Sequence, residues 1–229
     1  MIPFHIAKPQ GCDIQTFVGT GSAGGTRSQY RWNKPVGVSH VYMMLIGGGG
    51  DRDPTDAGAG ASGGVTVWYG AAQHVPDNLL LSVSAGYGRN TVIYYQKITA
   101  SLILLEAKSP GGSSGRTAPA TAANAFAASG FYQSIAGQGV VGSNPVSASP
   151  TTFLSSGAGG NTMQTVTANY GYSQSSGYGS FRMQPIIVGV GNNALAGVDS
   201  VAAIGCGGSS ASGLTPGYGG PGMILIASW

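Results

Sequence analysis

Apolar residues in this chain gather in short blocks, not in a helical rhythm. The blocks read HVYMMLI (40–46), GVTVWYG (64–70), NLLLSVSAG (78–86), NTVIYYQKI (90–98), ASLILLEA (100–107), PIIVGV (185–190), VAAIG (201–205) and GMILIASW (222–229). Each has the length of a strand and is bounded by Gly, Pro, Asn or Ser, the residues that punctuate β structure. The best helical candidate is the alanine-rich TAPATAANAFAASGFYQSI (117–135), and Pro119 and the lack of charge weigh against it. The pattern predicts an almost all-β chain.

Several strands end alike, in an apolar residue entering glycines: LIGGGG, SAGYG and IGCGG. Glycine tolerates positive φ and lets two backbones approach closely, so such ends read as tight turns or packed loops. The region from about 107 to 182 is the richest in Gly, Ser and Ala and is predicted to be long loops. At 229 residues the chain can bury one good core, and a single domain is expected over 28–229, with 1–27 as an N-terminal arm.

Composition sharpens this picture. Glycine is abundant at 41 residues, yet 42% hydrophobic residues and 11 Tyr are too many for a solvated tail, so the chain should fold. Charged residues make up only 7%, and none occurs between Arg116 and Arg182. A tract of that kind is poorly protected against association, which predicts burial in a homo-oligomer. The net charge of +3 comes from scattered Lys and Arg; only Arg27, Arg31 and Lys34 are near neighbours, and they read as a solvated edge strand. Nucleic-acid binding therefore has little support. Cys12 and Cys206 lie in no metal-like spacing. The segment MIPFHIAKPQ lacks the apolar core of a signal peptide, and no apolar run is long enough for a membrane span, so a soluble protein made in a cytoplasm is expected, with no membrane insertion.

Motifs of enzymes occur here at the frequency of chance. G-x-G-x-x-G appears at Gly19, Gly21, Gly24 and at Gly58, Gly60, Gly63, but neither match leads into a helix whose N-terminus could hold a pyrophosphate. About one such match is expected by accident in a chain this rich in glycine. Gly111, Ser113 and Gly115 formally satisfy the nucleophile-elbow pattern, again without a following helix. His5, His40 and His74 are the only candidate bases, and the last two read as packing or surface residues. Catalytic residues and cofactors are expected to be none. Asp51, Asp53 and Asp56 are the one acid cluster and the candidate metal ligands, although Thr55, Asp56 and Ser62 break the calcium-loop pattern. In NYGYSQSSGYGSF, Tyr170, Tyr172, Tyr178 and Phe181 interleave with Gly and Ser, as in recognition loops, and are candidate ligand contacts.

The segment QYRWNKPVGVSHVYMMLIGGGG resembles the Trp-x-x-Pro-x-Gly-Val opening, apolar strand and Gly run of the glycine-rich domain found in bacteriophage tail-fibre and adhesin proteins. Trp32, Pro35, Gly37, Val38 and Val41 carry the match, with the run through Gly47, Gly48, Gly49 and Gly50. The ending GYGGPGMILIASW, with Gly219, Gly220 and Trp229, is similar to that domain's closing strand. The resemblance spans 28–106 and 200–229. It implies a β-sandwich, jelly-roll-like with long Gly-rich loops, in a virion protein assembled in the host cytoplasm. It further implies homotrimers, contacts to other virion proteins, and no catalytic residues. Tail fibre, short fibre and head decoration are the expected settings, with a host glycan or protein as a further partner. A polysaccharide-degrading enzyme or sugar-binding lectin is the second class, and for the enzyme the acids to test are Asp51, Asp53 and Asp77.

Overall fold

A computed structural model of the chain describes residues 11–20, 25–51, 60–96, 101–111, 119–122, 125–137, 204–205, 207 and 218–229. Among them are nine strands: β1 (Asp13–Val18), β2 (Arg27–Asn33), β3 (His40–Ile46), β4 (Val65–Ala71), β5 (Asn78–Ser84), β6 (Thr91–Gln96), β7 (Ser101–Ala107), β8 (Phe131–Ile135) and β9 (Met223–Ser228). They form two antiparallel sheets, one of five strands in the order β1-β9-β3-β4-β8 and one of four in the order β2-β5-β6-β7. The fold is all-β, and its main core lies between the sheets. There Val41, Met43, Leu45, Ile224 and Ile226 of the first sheet meet Trp32, Leu79, Leu81, Val83 and Ile93 of the second.

The two kinds of strand in this sandwich follow from their sequence patterns. β2 alternates, with Arg27, Gln29 and Arg31 exposed and Trp32 turned into the core, as an edge strand with one wet face should. β3 and β9 are apolar at nearly every position because both faces of the central strands are covered. Their second face and that of β4, with Tyr42, Met44, Ile46, Val65, Val67, Met223 and Leu225, form a separate buried cluster on the outer side of the five-stranded sheet.

Three details depart from the simple pattern. Residues 13–18 lie in the stretch that the sequence sets apart as an arm, and they form an edge strand paired with β9 from Asp13↔Ser228 to Val18↔Met223. The alanine-rich stretch gives one 3₁₀ turn, Ala125–Ala128, and then the strand β8. In β7 an irregularity beside the Ile93/Tyr94 step shifts the register. It sends the neighbouring residues Leu104 and Leu105 both into the core, which strict alternation forbids. Among the described residues no helix is long and apolar enough to cross a membrane.

Candidate functional site

The glycine run after β3 is the first place to look for a ligand. A phosphate cradle needs backbone N–H groups that are free to donate. Here all four are engaged within the chain. Gly47 N donates to Gly64 O at 2.9 Å, Gly48 N to Ser109 Oγ at 2.8 Å, Gly49 N to Gly220 O at 2.8 Å and Gly50 N to Ala61 O at 2.8 Å. The lack of side chains is also put to use, because a Cβ on Gly47 would overlap the carbonyl of Lys108, and one on Gly48 would come within 2.5 Å of Gly86 O and 2.7 Å of Ser84 Oγ. The same junction takes in Gly63 and Gly219, so that the β3–β4 connection, the lead into β9 and the segment after β7 meet backbone on backbone.

Asp51 closes this junction. Its Oδ1 accepts from Gly219 N at 2.8 Å. Burial lifts its carboxyl from the ordinary 3.8 to about 6, while the bond from Gly219 pulls in the opposite direction. Asp53 and Asp56, the other members of the predicted metal cluster, lie outside the described residues, as do Tyr170, Tyr172, Tyr178 and Phe181. Among the described residues no three metal-ligating side chains come together. Of the two G-x-G-x-x-G matches, Gly19 donates to Gly222 O, Gly63 to Gly205 O, and Gly21, Gly24 and Gly58 are outside the described set. Ser113 and His5 are outside it too, His74 is exposed on the short 3₁₀ turn Ala72–His74, and Asp77 forms an ion pair with Lys34 at 3.0 Å.

The residues of the Trp-Pro-Gly-Val opening serve the frame. Trp32 is fully buried in the main core, and Gly37 turns the chain into β3 at φ +82°. Lys34 reaches under that turn, donating from Nζ to Ala72 O at 3.1 Å and to Val75 O at 2.7 Å.

At the opposite end of the five-stranded sheet lies a second candidate. Side chains at paired positions share a face, so the register Ile14↔Ala227↔Tyr42↔Tyr69↔Phe131 lays one row across all five strands on the outer face. His40 and Trp229 follow at the end of that row, held by Trp229 N donating to His40 O and His40 N to Trp229 O. The rings of His40, Tyr69 and Trp229 lie nearly parallel, with centroid separations of 5.7, 6.1 and 5.8 Å and planes within 19° of one another. Ser39 Oγ bonds to His40 Nδ1 at 3.0 Å and donates to Trp229 O at 3.1 Å, fixing the histidine edge. Tyr69 and Phe131 are exposed, at 38% and 51%. Tyr42 beside them is buried, its hydroxyl has no hydrogen-bond partner, and burial pushes its phenol up to about 12. An unpaired buried hydroxyl costs about 1–3 kcal/mol, so this one is a donor in want of an acceptor.

Sequence reasoning singled out Trp229 as a frame residue and His40 as a packing or surface residue, and it passed over Tyr69 and Phe131. Nothing in their spacing marks them, since they join His40 and Trp229 only through the register of four separate strands, β3, β4, β8 and β9. Compared with protein-family models and with curated protein sequences, the chain finds no match.

Proposed function

We propose that this chain is a non-enzymatic structural protein of a bacteriophage virion, an oligomeric appendage or decoration of the tail-fibre, short-fibre or head-decoration kind. The Trp32 to Gly50 opening and the Gly-rich closing strand support that reading by their resemblance to the phage glycine-rich domain. The single observation that supports its structural part is the glycine junction. Four consecutive bare residues spend every amide on neighbouring backbone or on Ser109, so the run serves close packing and offers nothing to a phosphate. Two acids weighed for polysaccharide cleavage also have structural partners, Asp51 on Gly219 and Asp77 on Lys34.

The deciding experiment is mass spectrometry of purified particles with antibody labelling in electron micrographs. The chain is expected in many copies per particle and at one defined location. Its absence from particles that fully infect would overturn the proposal. For the enzymatic alternative, Asp51→Asn and Asp77→Asn are expected to leave particle function intact, and loss of a polysaccharide-cleaving activity in either would favour an enzyme.

A further inference from the structure

We infer that the aromatic end of the five-stranded sheet is a stacking site for hexopyranose units of a neutral polysaccharide, built from His40, Tyr69 and Trp229 with Phe131 at its rim. Three near-parallel rings at almost equal separations form a compact triangle, not a column, whose outer rings would lie as far apart as the other two distances combined. A pyranose ring has a face of C–H groups with slight positive charge and a rim of hydroxyls. Such a face meets the negative face of an aromatic ring favourably, and its rim needs hydrogen-bonding atoms around that contact. The structure supplies both. Exposed polar side chains stand in the next row on the same face, Thr16 on the edge strand β1 and Gln133 on the edge strand β8, where Gln133 is two residues from Phe131; the Tyr42 hydroxyl opposite Tyr69 is buried and is not one of them.

The alternatives fit less well. A cationic ligand would want an acid beside the rings, and among the described residues no Asp or Glu shares this face: Asp13 alternates to the other side of β1, Asp51 is at the far end of the sheet, and Asp77 and Glu106 belong with the second sheet. The three rings already pack on one another in the free chain, so little of their side-chain freedom is left to lose on binding, which suits a weak repetitive ligand. The inference deepens the virion reading by naming a ligand class, and it rests on that reading only for where the polysaccharide comes from. Binding by the isolated chain succeeds or fails whatever the particle contains.

The test is tryptophan fluorescence of the full chain titrated with four neutral polysaccharides: dextran, mannan, galactomannan and a neutral O-antigen polysaccharide. Trp32 and Trp68 are fully buried, so a ligand-dependent change reports Trp229. At least one polysaccharide is expected to give a saturable change. Tyr69→Ala should weaken it tenfold or more, and Leu102→Ala, an exposed apolar residue of the other sheet, should leave it unaltered. Should Tyr69→Ala melt early, Phe131→Ser at the exposed rim replaces it, with a loss of threefold or more. No saturable change with any of the four, wild-type binding by the variants, or an oligomer that falls apart on Tyr69→Ala would each overturn the inference, the last by showing that a second copy of the chain covers the face.

Discussion

Single residues in this protein are held by backbone crowding as much as by side-chain contacts, and glycines 37 and 48 show the two ways a bare residue is used. Gly48→Val has no room, because its Cβ would press on Gly86 O and Ser84 Oγ; a loss of about 3 kcal/mol or a failure to fold is expected by denaturant titration. Gly37→Ala meets nothing within 4 Å and suffers only from φ +82°, so about 1–2 kcal/mol is expected. Asp51 makes a different prediction. The folded chain keeps a proton on that carboxyl between about 4 and about 6, where the unfolded chain has released it, so stability should fall as pH rises through that window. Asp51→Asn, which retains an acceptor for Gly219 N, should flatten the slope in pH-dependent melting and raise the melting temperature at pH 7. The glycines were legible in the sequence as turns and close approaches. The buried carboxyl was not, because its desolvation comes from segments far away in the chain.

At the scale of elements, how well a strand could be read depended on how it is buried. β3, β4, β5 and β9 stand out as apolar runs because one or both of their faces are covered. β1 and β8 escaped, since no residue of DIQTFV or FYQSI is fully buried and neither has an apolar run to notice. The aromatic row shares this obscurity: Tyr42, Tyr69 and Phe131 are aligned by registers that the sequence does not contain. Among core strands, Leu45→Ala and Ile224→Ala each empty a fully buried site between the sheets, and each is expected to cost about 2–5 kcal/mol in chemical denaturation. Asp77→Asn removes an ion pair whose acid is 81% exposed, and a change below about 1 kcal/mol is expected.

At the scale of the five-stranded sheet, the two ends differ in structure, one sealed by glycine backbone and the other bearing a group of aromatic rings. The sealed end predicts that adding nucleotide will not raise the melting temperature, since a ligand that binds only the folded state must do so. The charge-free tract from 117 to 181 predicts a stable oligomer in sedimentation of the purified chain, and a lone monomer would count against the virion assembly proposed above.

The placement of β9 between β1 and β3 also sets the timetable of folding. Ser39 and Trp229, which bond across that seam, are separated by 190 residues. At about 5–20 residues per second of synthesis, β3 waits roughly 10–40 s for the neighbour that completes its edge. Through that interval a strand made to be hidden on both faces stands open on one side, a vacancy that any passing extended segment could occupy. A chain whose closing strand is delayed or removed is therefore expected to aggregate more, because that gap stays open longer.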